Sequence, residues 1–125
     1  MDDWKAEKNT ATANDGLCGS LEDPGFFTSG IGIAVLGGNK ITLKHNAVTD
    51  NVADAGLSSE ASVPPGGISI ISSLGFGGSD PTNVKVEDNK LSANSPFDIF
   101  WDGSGSGNSF KHNHCSSSLP GGLCS

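Results

Sequence analysis

Two acidic residues, Asp98 and Asp102, have the spacing in this sequence that comes closest to hydrolytic chemistry, and they flank Ile99, Phe100 and Trp101. Glycosidases use two carboxyl groups about 5 to 9.5 Å apart. Four residues of straight strand span about 13 Å, so a bend near Trp101 would be needed to bring the carboxyl groups together. Both acids are catalytic candidates, but we favour a structural interpretation in which Asp98 is a surface residue of a strand and Asp102 begins the next turn.

Metal ligation is the second chemistry to test, because potential ligands cluster near the C-terminus. The segment 102–108 offers one carboxylate with hydroxyls and an amide, which matches no Ca²⁺-loop pattern. His112, His114 and Cys115 are residue types that bind zinc, but the sequence supplies no further ligand beside them. We therefore expect no metal site and no cofactor.

The composition limits the classes of partner. The chain has 125 residues, which fits a single domain over 1–125, and it has a net charge of −7 and no arginine. Without a basic face, nucleic acid and anionic membrane surfaces are not expected partners. The longest apolar run, Ile31–Leu36, is too short to cross a bilayer. The acidic start, Met1-Asp2-Asp3, is unlike a signal peptide.

A nine-residue frame occurs four times and carries the fold prediction. It reads apolar, two residues, Asn, one residue, apolar, two residues, Asn, with Ser in the last slot of the final copy, and seven of the ten asparagines fall in its slots. Asn tolerates the left-handed backbone geometry of a turn. Asn side chains in stacked strands, about 4.8 Å apart, also hydrogen-bond to one another. We therefore predict one structural column that contains Asn9, Asn46, Asn89 and Asn113.

Short β-rich runs with a period of two lie between the copies and complete the repeat. They are found at 30–35, 67–71 and 97–101. The interval of 24 residues between Asn89 and Asn113 corresponds to one coil without an inserted loop. The longer intervals carry insertions, 15–29 and 52–65, at the same place in the coil. This pattern predicts an all-β, single-stranded, right-handed parallel β-helix, a solenoid of about three to four coils with long loops at one corner. Its expected core is Ile31, Ile33, Ile41, Leu43, Val48, Ile68, Ile70, Val84, Val86, Leu91, Ile99 and Phe110.

Charged residues inside the frame alternate in sign from copy to copy. The slot after the first apolar position holds Glu7, Lys44, Glu87 and Lys111. Stacked opposite charges stabilise neighbouring strands slightly, whereas stacked like charges repel. We interpret the series as an outward ladder of surface charges and not as a source of a catalytic lysine or histidine.

Several segments resemble a known family. They are Val84-Lys-Val-Glu-Asp-Asn89, Asp102-Gly-Ser-Gly-Ser-Gly-Asn108 and Asn113-His-Cys115-Ser-Ser-Ser-Leu-Pro120-Gly-Gly-Leu-Cys124, with Trp4–Asn14 and Ser29–Ile33 before them. Together they are similar to the C-terminal coils of secreted actinobacterial right-handed β-helix repeat proteins of the pectate-lyase-like superfamily. The resemblance implies an extracellular location. It also implies a fold shared with polysaccharide lyases, hydrolases and epimerases.

These observations predict a non-catalytic β-helix repeat protein, structural or carbohydrate-binding, at the cell exterior. The alternative is the C-terminal fragment of a polysaccharide lyase or hydrolase whose catalytic coils are missing, and an enzyme is the less favoured of the two. A polysaccharide is the expected partner, because loops on a rigid scaffold and exposed aromatic rings beside acids suit sugar binding. The candidate ligand-binding residues are Phe26, Phe27, Phe100 and Trp101.

The two ends of the repeat array differ. Cys115 and Cys124 are nine residues apart and would form a disulfide in an oxidising compartment, closing a C-terminal cap over 116–125 and leaving Cys18 alone; the alternative is that all three cysteines are reduced. No cap is evident before Trp4, so we expect the first coil to present open strand edges and to favour self-association.

Overall fold

The structure is a computed structural model that describes residues 4–12, 18–19, 27–28, 31–52, 66–74, 77–95 and 97–124. These ranges are nearly all β and contain no α-helix. They contain strands β1 Lys5–Glu7, β2 Thr10–Thr12, β3 Cys18–Gly19, β4 Phe27–Thr28, β5 Ile31–Leu36, β6 Thr42–Lys44, β7 Ala47–Thr49, β8 Gly66–Ile71, β9 Lys85–Glu87, β10 Lys90–Ser92, β11 Ile99–Trp101, β12 Ser109–Lys111 and β13 Ser118–Leu119.

Eleven of these strands form three parallel sheets in which neighbours come from successive repeats. The first sheet has the order β1-β6-β9-β12, the second β10-β7-β2 and the third β13-β11-β8-β5. The first repeat is therefore β1, β2 and β5, the second β6, β7 and β8, the third β9, β10 and β11, and the fourth begins with β12 and ends with β13. The all-β parallel architecture of the prediction is confirmed at this level.

The register of the first two sheets follows the nine-residue frame. In the first sheet Ala6 pairs with Leu43, Leu43 with Val86, and Val86 with Phe110. In the second sheet Ala11 pairs with Val48, and Val48 with Leu91. The predicted in-register stacking of the frame is therefore confirmed. The middle residue of these three-residue strands points inward because successive side chains alternate between faces.

The core lies between the three sheets. Nine of the expected core residues are buried, namely Ile41, Leu43, Val48, Ile68, Ile70, Val84, Val86, Leu91 and Ile99. Ile31, Ile33 and Phe110 are only half-buried, contrary to the prediction. The reason is their position in β5 and β12, which are edge strands of their sheets and are covered by a neighbouring repeat on one side only.

The corners between sheets use left-handed backbone geometry, but not at the residues that the sequence suggested. The residue immediately before each described ladder Asn has the positive φ: 56° at Lys8 and His45, and 53° at Asp88 and His112. The expectation that Asn itself adopts the left-handed conformation is therefore wrong for this column. Each Asn follows the residue with the positive φ, and its side chain makes hydrogen bonds between repeats at this corner.

A third corner, which lies between each strand of the third sheet and the next strand of the first sheet, was not predicted from the sequence. Lys40, Asn83 and Gly107 occupy it in successive repeats, with φ values of 58°, 52° and 71°. Asn39 Oδ1 accepts hydrogen bonds there from Thr82 Oγ1 and Asn83 Nδ2, each at 3.0 Å. The three asparagines that lie outside the nine-residue frame, Asn39, Asn83 and Asn108, all belong to this corner.

The two predicted insertions fall at the same point of the repeat. They separate β2 from β5 and β7 from β8, whereas β10 reaches β11 through residues 93–98 alone. Within the first insertion, β3 and β4 form an antiparallel pair in which Cys18 lies opposite Thr28. Val52, at the start of the second insertion, bridges to Ser95, whereas the remaining insertion residues and Asn14 lie outside the described ranges.

Candidate functional site

The predicted asparagine column is continuous. The side-chain Nδ2 groups of Asn9, Asn46 and Asn89 each donate to the Oδ1 of the next Asn in the column, at 3.2, 3.0 and 3.0 Å. The backbone N–H of the same three residues donates to the same oxygens. Asn46, Asn89 and Asn113 are buried. Because their polar atoms are used between repeats, these asparagines hold the stack together and offer no groups to a ligand.

A second, shorter column ends on Asp98. Asn51 donates from its N–H and Nδ2 to Asn94 Oδ1, at 3.0 and 2.9 Å, and Asn94 donates in the same way to Asp98 Oδ1, at 3.2 and 2.9 Å. The other carboxylate oxygen, Asp98 Oδ2, accepts from Ser116 N at 3.1 Å and Ser116 Oγ at 3.3 Å. Asp98 therefore takes the place that the next Asn of the column would have.

The position expected for Asp98 on the surface is wrong. Asp98 is 1% exposed, and each of its carboxylate oxygens accepts two hydrogen bonds from the protein. A carboxylate that is buried and fully bonded in this way is not accessible to a substrate. Its observed contacts are structural.

Glycines mark the same position in the two preceding repeats. Gly67 precedes Ile68, which pairs with Ile33 and Ile99, so Gly32, Gly67 and Asp98 hold equivalent places. A Cβ atom on Gly67 would lie 2.7 Å from Asn94 Cγ, and one on Gly32 would lie 2.9 Å from Asn51 Nδ2. Glycine is needed wherever a column Asn fills the space. Gly, Gly and then Asp is the sequence signal that could have identified Asp98 as the end of the column.

Asp102 has the role in a turn that the structural interpretation gave it. It is exposed, its Oδ2 accepts from Ser72 N at 2.8 Å, and its Oδ1 accepts from both the N–H and the hydroxyl of Ser104. Since Asp98 is buried and Asp102 is exposed, the two carboxylates do not face a common groove.

Phe100 and Trp101 lie beside Asp102 at a surface groove between β11 and the C-terminal segment. Both residues are half-buried. Leu119 pairs with Phe100 on the neighbouring strand β13, and the Trp101 side chain packs against the core. We call this site the aromatic groove; its lining residues are Phe100, Trp101, Asp102, Gly103, Leu119 and Pro120.

The rings of the aromatic groove are held in place by their neighbours. The Trp101 ring packs against Phe110 with a centroid distance of 5.4 Å, and Trp101 Nε1 donates to Ser104 O at 3.0 Å. Phe100 lies 6.4 Å from Phe97 by the same measure. A fixed orientation lowers the entropic cost of stacking a ligand on these rings.

The other two aromatic candidates are not placed in a site by the described structure. Phe26 lies outside the described residues, and Phe27 is described only through the backbone of β4. The loop prediction for 15–29 and 52–65 therefore stays a prediction.

Charged side chains on the first sheet face outward in register. Glu7, Lys44, Glu87 and Lys111 form one column through the pairing of β1, β6, β9 and β12, which is the alternation that the sequence predicted. At the next corner, His112 Nδ1 lies 3.6 Å from Asp88 Oδ1 on the surface. No group of three or more His, Cys, Asp or Glu residues that could hold a metal ion occurs within the described ranges.

The predicted disulfide is present near the C-terminus. Cys115 and Cys124 form a disulfide with a Cα–Cα distance of 5.2 Å. Leu123 is buried against the core, and β13 adds to the third sheet by pairing with β11. The cap therefore closes the end of the stack at which the aromatic groove lies.

Comparison with protein-family models, curated proteins and solved structures finds no match to this chain. In the part of the chain that the structure describes, there is no helix of the length and apolarity needed to span a membrane.

Proposed function

We propose that the chain is a non-catalytic right-handed parallel β-helix repeat that binds carbohydrate in the aromatic groove, outside the cell. The observation that carries the proposal is the lining of the aromatic groove, where the half-buried residues Phe100 and Trp101 lie beside the exposed carboxylate of Asp102. A largely apolar surface with a few convergent polar groups is the usual composition of a small-ligand site.

The aromatic groove has complementary groups for a sugar. Phe100, Leu119 and Pro120 offer apolar area for the C–H face of a pyranose, and aromatic side chains contribute a large apolar contact area. Asp102 Oδ2 accepts one hydrogen bond, from Ser72 N, and a carboxylate oxygen has room for a second donor. A sugar hydroxyl would supply that donor.

The β-helix description rests on the parallel stack and on chain connectivity. Each of the first three repeats visits the three sheets in the same order, and the chain then returns to the first sheet beside its earlier strand. Connections between parallel strands of one sheet are right-handed in nearly all proteins. Both the handedness and the kinship to the pectate-lyase-like superfamily are parts of the proposal.

The extracellular location is supported by the disulfide. Structural disulfides persist in oxidising compartments and are rare in the cytosol. The Cys115–Cys124 bond ties the cap that covers the core, so it has a structural position.

The proposal is tested by glycan-array screening followed by titration of the best ligand into the 125-residue chain and the variant Phe100→Ala. We expect Phe100→Ala to weaken binding by about tenfold, since an aromatic contact contributes on the order of 1 kcal/mol. Leu74→Ala is the matched control, because Leu74 is 59% exposed and lies outside the groove.

Two outcomes would contradict the placement or the function. Binding that Phe100→Ala leaves unchanged would move the carbohydrate site away from the aromatic groove. Absence of binding to any glycan by the folded protein would leave a scaffold without this activity. Thermal melting of both variants checks that each is folded.

A further inference from the structure

The outward face of the first sheet is basic beside the third corner, although the chain as a whole is acidic. The groove on this face is lined by Lys40, Thr42, Asn83 and Lys85. Its strands, β6 and β9, are the two interior strands of the sheet, with β1 and β12 outside them. No acid is among these lining residues, whereas the chain carries fourteen acids against seven lysines. We call this site the lysine groove.

The first sheet has two outward columns, and only one of them balances its own charge. The balanced column consists of Glu7, Lys44, Glu87 and Lys111. The other column consists of Lys5, Thr42, Lys85 and Ser109. Opposite charges on neighbouring strands stabilise each other. Lys85 has no such neighbour in its column, because a hydroxyl residue lies beside it on either strand.

The two lysines of the groove keep their charge free for a solute. Within the described ranges the ion pairs are Lys5 with Glu7 at 3.7 Å and His112 with Asp88 at 3.6 Å. Lys40 and Lys85 are exposed and belong to neither pair. Two ammonium groups at one groove repel each other, and an anion bound between them would replace that repulsion by attraction.

The uncharged residues of the groove add hydrogen-bond donors. Thr42 is half-buried, and its hydroxyl has no hydrogen-bond partner among the described residues. Asn83 Nδ2 donates to Asn39 Oδ1 at 3.0 Å, which uses one of the two protons of its amide. The groove therefore combines two cations with a free hydroxyl and a second amide proton.

We propose that the lysine groove binds a tetrahedral oxyanion with two negative charges, such as sulfate or the phosphate group of a monoester. Two ammonium groups match the charge of a phosphate monoester, which is about −1.5 to −2 at pH 7. Lysine binds phosphate as a point charge with three rotatable donors, whereas the planar grip of a carboxylate favours arginine, which this chain lacks. This is a second site, because it shares no lining residue with the aromatic groove.

The neighbouring repeats supply substitutions that suit the fold. Lys85→Thr gives β9 the residue that β6 has at the paired position, Thr42. Lys40→Asn gives its corner the residue type of Asn83, which holds the equivalent place with a φ of 52°. Asn tolerates this backbone geometry well. Both changes remove one positive charge from the lysine groove.

Lys90→Thr is the matched control. Lys90 is exposed on β10, the next strand of the same repeat as Lys85, and it lies outside the lysine groove. The substitution is the same as Lys85→Thr in residue type, in strand context and in net charge. A difference between these two variants therefore reports the place of the lysine and not the charge of the whole chain.

The experiment is a nuclear magnetic resonance titration of the 125-residue chain and the three variants with sodium sulfate, sodium acetate, inorganic phosphate and glycerol phosphate at constant ionic strength. We expect saturable shifts at Thr42, Asn83 and Lys85 with a dissociation constant of about 1–10 millimolar for sulfate. Lys85→Thr and Lys40→Asn should each weaken sulfate binding about fivefold, and Lys90→Thr less than about twofold. Acetate, with one charge, should bind at least about fivefold more weakly than sulfate.

The two phosphate probes distinguish the sources of the anion. Tighter binding of glycerol phosphate than of inorganic phosphate would identify an esterified phosphate as the ligand. Equal affinities would identify the free ion. Either result supports a site for a tetrahedral oxyanion in the lysine groove.

Three results would overturn the proposal. The first is the absence of a saturable shift at the groove by about 100 millimolar sulfate. The second is an equal loss of affinity in Lys85→Thr and Lys90→Thr, and the third is acetate binding as tight as that of sulfate. Thermal melting checks that each variant is folded. Because no residue lines both grooves, anion binding and glycan binding succeed or fail independently.

Discussion

Asp98 ends the second polar column by accepting its last hydrogen bonds. A column Asn donates hydrogen bonds to the next member of the column and accepts them from the previous member, as Asn94 donates to Asp98 and accepts from Asn51. A carboxylate only accepts hydrogen bonds. It therefore suits the last position of the column, where the donors of Asn94 must be satisfied and no further Asn follows.

Replacing the buried carboxylate by an amide tests this role. Asp98→Asn keeps the shape but turns an NH₂ group toward Ser116 N–H or the donors of Asn94, which leaves buried donors without an acceptor. We expect a loss of about 1–3 kcal/mol in the free energy of unfolding, measured by urea denaturation at neutral pH.

Asp50→Asn is the control for that substitution. It makes the same chemical change at an exposed residue with φ of 56°, where Asn is well tolerated. The free energy of unfolding should stay within about 0.5 kcal/mol of the parent. Equal stabilities for Asp98→Asn and Asp50→Asn would show that the carboxylate does not end the column.

At the scale of the strand, the nine-residue frame predicted the stacking partners and the inward faces of the first two sheets. It succeeded because Asn and the apolar residues recur at fixed spacing within β1–β2, β6–β7 and β9–β10. The third corner could not be predicted in the same way. Asn39, Asn83 and Asn108 lie at three neighbouring positions of that corner and follow connections of different length, so no common spacing in the sequence marks it.

The role of Asp98 was hidden for a related reason. Its partner Asn94 is four residues away, but the Ser116 groups that satisfy its second oxygen are 18 residues away in the cap. Local alternation treated 97–101 as one strand, whereas the strand begins at Ile99 and Asp98 turns inward before it. The residue that turns inward is not the one that a period of two predicts.

The inward phase of the strands gives a direct stability prediction. Leu43 is fully buried in β6, while Thr42 on the other face lies between Lys5 and Lys85. Leu43→Asp should lower the free energy of unfolding by about 3–5 kcal/mol, because it buries an unpaired charge. Thr42→Asp should change it by less than about 1 kcal/mol, because the new acid faces two lysines. Denaturant titrations that ranked these variants in reverse would refute the assigned faces.

At the scale of the whole molecule, one end of the stack is covered by a segment that a disulfide holds in place. The disulfide closes a segment with a sequence separation of nine residues, which limits the unfolded chain and holds Leu123 on the core. The stability of the molecule therefore depends on the redox state of one end.

Reduction is expected to loosen that end first. Adding a thiol reductant should lower the free energy of unfolding by about 2–3 kcal/mol and make the 116–124 segment the first target of limited proteolysis, detected by mass spectrometry. Cys124→Ser should show the same loss without reductant and no further loss with it. A reduced protein as stable and as protease-resistant as the oxidised one would mean that the cap is held by packing alone.

The segment from Asn89 to Asn113 is the shortest complete repeat of the molecule, because it carries no inserted loop. Its 24 residues pass through every corner once, with left-handed residues at Ala93, Gly107 and His112. They end with Asn113 stacked on Asn89, where the interval began. Duplication of such a segment would lengthen the body by about 4.8 Å and present the same column of side chains to whatever follows. Genes for molecules of this kind would then gain or lose whole repeats. Residues inserted between β2 and β5 or between β7 and β8 would lengthen a loop without changing the number of repeats.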